Sequence, residues 1–235
     1  MAQKTIVISG ASRGLGFCLA ERLLQQDNIV HMIVRNKNEK TVNLSAHNPN
    51  CFIHIGDISS YKTLNPAIQT LKEKIKKIDV LYNVAAIFWP EDRKGILETN
   101  LDRAPEMFAT NTCGPLRIIQ KLADIITPET RIINISSESG SMENTLEKNL
   151  YAYSMSKAAL NLATKIYWRE KEGNCNIIVV DPGWMRTDMG GPTAHLDPYF
   201  SADSIIDLVD HWEKLEKHLA KGNLFFKYDG RLLPW

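Results

Sequence analysis

Short runs of apolar, often β-branched residues recur along the chain and alternate with longer segments in which apolar positions follow a helical period. The short runs predict seven strands, at Thr5–Ser9, Ile29–Val34, Cys51–Ile55, Val80–Val84, Ile132–Ile135, Asn176–Val180 and Leu224–Lys227. The helical segments include Leu15–Gln25, Tyr61–Lys77, Asp102–Ile126 and Ala152–Lys171. This alternation is typical of βαβ units, so we expect a doubly wound α/β fold with a mostly parallel sheet and helices on both faces.

The apolar content is sufficient for one large core. The chain has 235 residues, of which 44% are hydrophobic, so residues 1–235 are expected to form a single domain. A further segment, Ser204–Ala220, has apolar residues on one helical stripe and is expected to be a helix that covers the core. The stripe consists of Ile205, Val209, Trp212, Leu215 and Leu219.

Composition and charge exclude several classes of function. The formal net charge is +1, and no basic stripe is interleaved with aromatic residues, so nucleic acid is not an expected partner. No apolar run approaches the roughly 18 residues of a membrane span, and the N-terminus enters a strand pattern directly, so we expect a cytoplasmic protein that does not bind membranes. The four cysteines are scattered, which predicts neither a metal site nor a disulfide framework.

A glycine-rich turn lies directly after the first predicted strand and opens the first predicted helix. Its sequence is Gly10-Ala11-Ser12-Arg13-Gly14-Leu15-Gly16. Glycine permits a tight turn and close approach of the backbone, and free amides at a helix N-terminus stabilise the negative charge of a phosphate. The turn therefore predicts a binding site for the pyrophosphate of a dinucleotide, formed by Gly10, Ser12, Arg13, Gly14, Leu15 and Gly16.

Two arginines favour NADPH over NADH. The second predicted strand is followed by Arg35, at the position where sites for NADH usually have an Asp or Glu that binds the ribose 2′-hydroxyl. A guanidinium there suits a 2′-phosphate instead, and Arg13 could bind the same phosphate from the other side. Each arginine alone is better explained as an exposed surface residue. The two together predict NADP(H) as the cofactor.

Tyr153 and Lys157 are four residues apart in a segment of helical period, so they share one face of a helix. A nearby ammonium favours the phenolate and lowers the pKa of a phenol from its usual value near 10. Such a tyrosine can give a proton to a carbonyl oxygen as a hydride reaches the carbon. The Ser136-Ser137 pair follows the fifth predicted strand, where one hydroxyl can bind the same oxygen and the other can cap a turn.

These motifs resemble the short-chain dehydrogenase/reductase superfamily in its compact single-domain branch. The resemblance covers almost the whole chain and implies a Rossmann-type fold. It also implies that Asp57, followed by Ile58, binds on the adenine side of the cofactor and that Asn83 braces the sheet or contacts the ribose. Ala85 is expected beside the cofactor, and Ala86 stands where the family has glycine.

The same resemblance assigns a catalytic tetrad. It selects the second serine of the pair, Ser137, and adds Asn111, which is expected to support a water-linked proton relay to Lys157. Tyr153 and Lys157 are expected to contact the cofactor as well, with Lys157 on the nicotinamide ribose. The interval between Ser137 and Tyr153 is a few residues longer than is usual in the family, which implies a small insertion within Glu138–Asn149.

Two later segments refine the resemblance. Pro182, Gly183 and Thr187 match the segment that folds over the nicotinamide, with Thr187 placed to bond the carboxamide. The runs Trp184–Gly191 and Tyr228–Trp235 are similar to those of the C-factor and sniffer-like carbonyl reductase group. Members of that group are associated with NADPH-dependent reduction of carbonyl compounds.

The loops around this site indicate the substrate class. Trp89, Met142, Tyr151 and Trp184 are expected to wall an apolar, partly aromatic cavity, which would suit a hydrophobic ketone, aldehyde or quinone. The expected function is NADPH-dependent reduction of such a carbonyl to an alcohol. Two alternatives are an NADPH-binding sensing or signalling protein with little turnover and an NAD-linked alcohol dehydrogenase. By analogy with the family, we expect a homodimer formed through the helices that carry Asn111 and the Tyr153–Lys157 pair.

Overall fold

Seven strands form the centre of the molecule in the computed structural model, which describes residues 3–144 and 148–235. They are β1 (Thr5–Ser9), β2 (Ile29–Val34), β3 (Cys51–Ile55), β4 (Val80–Asn83), β5 (Arg131–Ile135), β6 (Asn176–Asp181) and β7 (Phe225–Lys227). Their order across the sheet is β3-β2-β1-β4-β5-β6-β7, and all six neighbouring pairs run parallel. The seven predicted strands are confirmed, each bound to within one residue, and the sheet is wholly rather than mostly parallel.

Helices connect these strands and cover both faces of the sheet. They are α1 (Gly14–Gln25), α2 (Glu39–His47), α3 (Tyr61–Lys72), α4 (Ala104–Met107), α5 (Cys113–Lys121), α6 (Tyr151–Glu170), α7 (Pro198–Asp210) and α8 (Glu216–Leu219). A five-residue π-helix, Phe108–Thr112, joins α4 to α5. Within the described residues, no helix is both long and apolar enough to cross a membrane.

The helices differ from the sequence predictions in several places. Helix α2 was not predicted, because Thr41 is its only buried residue and its sequence has no apolar period. The sequence signal for the start of this helix was Asn38, whose side chain caps it by accepting a hydrogen bond from the Thr41 N–H at 2.9 Å. Helix α3 ends at Lys72, before the charged run that had extended it to Lys77. The segment predicted over 102–126 is divided between a 3₁₀ turn, α4, the π-helix and α5.

The predicted helix Ser204–Ala220 is wrong in both bounds. Helix α7 begins earlier, because the Asp197 carboxylate accepts a hydrogen bond from the Tyr199 N–H at 2.8 Å and Pro198 occupies the first helical position. It ends at Asp210, and the chain continues through a 3₁₀ turn into α8. Trp212 in that turn is nevertheless buried, so it covers the core as expected.

The alternating side chains of the strands fill two apolar layers. On β1, Ile6 and Ile8 pack on one face with residues of α1 and α7, while Val7 packs on the other face with residues of α3 and α5. All three side chains are fully buried, and each contributes about 1.5–3 kcal/mol relative to exposure. Because both faces are covered, the loops that follow the strands remain available for binding.

The order in which successive strands are added to the sheet changes direction between β1 and β4, although all strands run parallel. Helical connections lead outward from β1 to β2 and β3 on one side and from β4 to β5, β6 and β7 on the other. In open parallel sheets such a switch point leaves a crevice at the carboxyl ends of the strands. The glycine-rich turn, the loop after β4, Ser137 and the loop after β6 all follow strands that end at this edge.

Candidate active site

The glycine-rich turn packs against the loop after β4. A Cβ atom on Gly10 would lie 2.6 Å from the backbone of Ala85, and one on Gly16 would lie 2.4 Å from the Gly10 carbonyl oxygen. Gly10 and Gly14 also have positive φ angles, 76° and 55°, which other residues rarely adopt. These glycines are required by the close approach of two loops as well as by the turn itself.

The N-terminus of α1 is open toward the cleft. In the part of the chain that the structure describes, no side chain caps this end of the helix, and its first turn contains no acidic residue. The amides of Gly14, Leu15 and Gly16 belong to this uncapped first turn, where backbone N–H groups can bind an anion. The Asn38 amide donates to the Ser12 carbonyl at 2.8 Å, a contact between the turn and the loop after β2 that the sequence did not indicate.

Arg13 and Arg35 both line this cleft and are exposed. Arg13 forms an ion pair with Asp188, at 3.1 Å between guanidinium and carboxylate, and both side chains are largely exposed. Such a pair is weak, so Arg13 can exchange this partner for a phosphate at little cost. Asp188 follows Thr187, so the ion pair connects the two sides of the cleft.

The residues expected on the adenine side, Asp57 and Ile58, lie after β3. Asp57 is half-buried and lines the cleft, and its carboxylate accepts a hydrogen bond from the Ser59 N–H at 2.8 Å. Ile58 also lines the cleft, but it is buried and packs tightly against Gly114, where a Cβ atom would lie 2.4 Å from its side chain. Ile58 therefore anchors this loop to α5 as well.

Lys157 is buried beneath the cleft, one helical turn after Tyr153 on α6. Its ammonium donates a hydrogen bond to the Ile135 carbonyl at 2.8 Å and lies 5.7 Å from the centre of the Tyr153 ring. Burial lowers the pKa of Lys157 to about 8, and the charge of Asp181 opposes that decrease. The half-buried Tyr153 ring meets Phe88 edge to face at 5.3 Å.

The two serines after β5 face different surroundings. Ser136 is buried, and its hydroxyl donates to the Asn161 side chain at 2.7 Å, which connects the end of the strand to α6. Ser137 is half-buried and lines the cleft, and its hydroxyl oxygen accepts a hydrogen bond from the Ser139 N–H at 3.2 Å. Both serines border the cleft, and Ser137 is the more exposed of the pair.

Two predicted site residues lie behind the cleft lining. Asn111, in the π-helix, accepts a hydrogen bond from the Ile87 N–H at 2.8 Å and donates to the Ile87 carbonyl at 2.9 Å and the Ser156 hydroxyl at 3.1 Å. Asn83 is buried in the sheet, where its amide donates to Asn134 at 2.9 Å. Of the two roles expected for Asn83, the structure shows the bracing one.

The cleft has a volume of about 1010 Å³, at the upper end of the range for small-molecule and cofactor sites. Except for Asn83 and Asn111, all residues predicted for the site line this cleft. Those residues are Gly10, Ser12, Arg13, Gly14, Leu15, Gly16, Arg35, Asp57, Ile58, Ala85, Ser137, Tyr153, Lys157, Pro182, Gly183 and Thr187. The described residues contain no group of three or more His, Cys, Asp or Glu side chains that could hold a metal ion.

Only two of the four residues expected to form the apolar, partly aromatic wall of the cavity line the cleft. Trp89 and Trp184 line the cleft, but Met142 and Tyr151 lie outside its lining, and the Met142 side chain is 88% exposed. The insertion predicted within Glu138–Asn149 lies partly outside the described residues, which omit 145–147.

Charged side chains that the sequence did not indicate line the cleft close to Ser137. Glu138 pairs with Lys227 at 3.3 Å, and both line it. Asp181, the last residue of β6, is also in the lining and is buried, and it accepts a hydrogen bond from the Glu138 N–H at 3.0 Å. The sequence feature that could have pointed to Asp181 is its position directly before Pro182-Gly183.

Comparisons with known proteins agree with this geometry. A family model described as short chain dehydrogenase matches residues 4–196. C-signal of Myxococcus xanthus is 33% identical over 132 residues, which are 54% of this chain and 76% of that protein. Carbonyl reductase Sniffer of D. melanogaster has a TM-score of 0.87 at 27% identity, with 100% of both chains covered. A putative short-chain dehydrogenase/reductase from Burkholderia multivorans with bound NADP has a TM-score of 0.84, also at 27% identity and complete coverage.

Proposed function

The chain belongs to the short-chain dehydrogenase family, and on that premise we propose that it is an NADPH-dependent reductase that converts a ketone, aldehyde or quinone into an alcohol. The observation that carries this proposal is the position of Lys157. Its buried ammonium lies below Tyr153, and both residues line one cleft with Ser137 and the glycine-rich turn. Tyr153 as proton donor, Lys157 as the charge that lowers the pKa of the phenol and the glycine-rich turn as the dinucleotide site would thus act in the same cleft.

The residues of the cleft fit NADP(H). The open N-terminus of α1 would hold the pyrophosphate, and Arg13 and Arg35 would bind the 2′-phosphate. Asp57 would bind on the adenine side, and Thr187 would bond the nicotinamide carboxamide. The NADP found in the Burkholderia multivorans structure supports this choice of cofactor.

The mechanism follows from the side chains that face the reacting carbonyl. When bound, NADPH would supply the hydride that adds to the carbonyl carbon, and NADP⁺ would be the other product. Ser137 donates a hydrogen bond to the carbonyl oxygen, and Tyr153 transfers its phenolic proton to that oxygen, which completes the alcohol. The Lys157 ammonium stabilises the phenolate that remains. Asn111 would support the water through which Lys157 and Tyr153 regain a proton from solvent.

The lining of the substrate end supports a carbonyl compound with an apolar body. Phe88, which meets Tyr153 edge to face, and the two tryptophans Trp89 and Trp184 offer aromatic surface to the cleft. The Glu138–Lys227 pair adds a polar edge on the side of Ser137. We propose an aromatic or otherwise hydrophobic carbonyl as the substrate class.

Titration of the purified protein with NADPH and, separately, with NADH tests the cofactor, using tryptophan quenching and the fluorescence of the reduced cofactor. We expect NADPH to bind at least tenfold more tightly. Turnover is then measured with 4-nitrobenzaldehyde and a quinone by the loss of absorbance of NADPH. Tight binding without turnover of any carbonyl tested would favour a sensing protein, and stronger binding of NADH would favour an NAD-linked dehydrogenase.

The proposal includes a homodimer. Helix α6 exposes an apolar stripe of Met155, Leu162 and Ile166, whose side chains are 43%, 62% and 56% exposed. Their spacing places them on one outward face, as expected for a helix that pairs with a second copy. Light scattering after size exclusion should give twice the chain mass for the wild type and for Val42→Glu, a control on α2, and the single-chain mass for Leu162→Glu.

A further inference from the structure

Asp181 is a buried carboxylate between the two halves of the active site. It ends β6 and is only 5% exposed. Its Oδ1 accepts the Glu138 N–H at 3.0 Å, and the Gly183 N–H favours the charged form of the carboxylate. This carboxylate is therefore bonded to the residue that follows Ser137, and it lies two residues before Gly183.

The strand register brings the same carboxylate next to the Lys157 site. Ile135, whose carbonyl accepts the hydrogen bond from Lys157, is the partner of Val180 across the β5–β6 pair, and Asp181 is the next residue of β6. The Ser136 N–H bonds to the Val180 carbonyl at 2.8 Å, which fixes this register up to the end of the strands. Asp181 thus lies one residue beyond the strand position that pairs with the acceptor of Lys157, and its charge acts on the ammonium through space.

The charged groups around Asp181 come from three elements. Lys157 faces it from α6, Lys227 from β7 and Glu138 from the turn after Ser137. Burial raises the pKa of Asp181, while the two N–H donors and Lys227 oppose that increase. Burial lowers the pKa of Lys157, and the charge of Asp181 opposes this decrease. Tyr153 is the titratable neighbour of Lys157 on α6.

We propose that Asp181 is a positioning residue of the active site: its anionic carboxylate keeps the buried Lys157 ammonium charged and holds the backbone after Ser137 at the end of β6. This role deepens the proposed reductase function and rests on it. Asp181 does not touch the reacting atoms; it acts through Lys157, which in turn acts on Tyr153. The reaction should then depend on this carboxylate most strongly at alkaline pH, where Lys157 is closest to losing its proton.

The test compares Asp181→Asn with the wild type and with Asp203→Asn, a matched control on α7 whose carboxylate pairs with Arg22. Side-chain NMR of ¹³C-labelled lysine follows the titration of Lys157, assigned with Lys157→Met. We expect the midpoint to fall by about one pH unit in Asp181→Asn and not in the control. In reduction of 4-nitrobenzaldehyde, the alkaline decrease in kcat should move to lower pH by the same amount, with KM for NADPH within threefold.

A Lys157 midpoint that is unchanged in Asp181→Asn would overturn the proposal. If that variant does not fold, the Asp181 carboxyl carbon is observed in the wild type: its resonance should respond to the titration of Lys157 near pH 8, and this response should be lost in Lys157→Met. Absence of the response would overturn the proposal equally. Because the NMR measurements require no substrate, a wild type that reduces no carbonyl would contradict the proposed function and leave the role of Asp181 decided by the titration.

Discussion

The ammonium of Lys157 lies 5.7 Å from the centre of the Tyr153 ring and is held there by the Ile135 carbonyl. The pair is thus fixed by the sheet, since the acceptor belongs to β5 and not to the helix that carries both side chains. The ammonium is buried, so bulk solvent screens its charge only weakly from the phenol. This arrangement determines which substitutions should remove turnover and which should leave it.

Replacement of Tyr153 by Phe should remove the proton donor and leave the cofactor site intact. We expect kcat for carbonyl reduction to fall by about 100-fold or more, because general acid catalysis contributes about 10²–10⁴-fold. The Kd for NADPH should change by less than about threefold, since the ring is retained. The matched control is Tyr151→Phe, two residues earlier on α6 and outside the cleft lining, which should keep wild-type turnover. Wild-type turnover in Tyr153→Phe would refute the mechanism.

The variant Arg35→Asp should narrow or reverse the preference for NADPH. A charged hydrogen bond to the 2′-phosphate is lost and a repulsion is added, which predicts an NADPH Kd about 10–100 times higher and little change for NADH. Fluorescence titrations with both cofactors measure the ratio. Arg169→Asp, at the exposed end of α6, is the control for the change in net charge. An unaltered ratio would show that Arg35 does not contact the phosphate.

Acid should destabilise the protein through a buried histidine pair. His31 Nδ1 lies 3.0 Å from His54 Nε2, and burial lowers the pKa of each to about 4. The unfolded chain, with pKa values near 6.5, binds protons that the native state does not, so this stability is complete above pH 6.5 and decreases as the pH falls toward 4. By pH 5 each histidine should cost about 2 kcal/mol.

Urea unfolding between pH 5 and 7.5 measures this slope. The variant His31→Gln removes one of the two titrating groups and should flatten the dependence of the unfolding free energy on pH. His47→Gln, at an exposed position of α2, should leave it as in the wild type. A His31→Gln slope equal to that of the wild type would show that the pair is not the source.

The contact between Gly10 and Ala85 should make Gly10→Ala strongly destabilising. A methyl group there would lie 2.6 Å from the Ala85 backbone, and the φ of 76° is unfavourable for alanine. We expect a loss of about 2–4 kcal/mol in the free energy of unfolding, together with weaker NADPH binding. Gly95→Ala is the control, since its Cβ atom would meet nothing within 4 Å. Equal stability of the two variants would contradict this account.

The sequence predicted the strands well because each is a short apolar run between turns. It failed at α2, whose face is polar, and at α7, whose start is fixed by Asp197 and Pro198 and not by its apolar stripe. The glycine-rich turn and the Tyr153–Lys157 spacing could be recognised because local sequence determines them. In contrast, Asp181 becomes a site residue through its bond to the Glu138 N–H and the packing of β6 beside β5, and local sequence does not determine either of them.

Every strand of the sheet pairs in parallel, and the cleft is formed by loops that follow strands far apart in the chain. Gly10 and Thr187, which would contact opposite ends of the cofactor, are brought together only after β4, β5 and β6 have docked beside β1. Parallel pairings over such separations form slowly, because the chain loses loop entropy before the contacts are gained. Cofactor capture should therefore be among the last events of folding, and its onset during refolding would time the completion of the sheet.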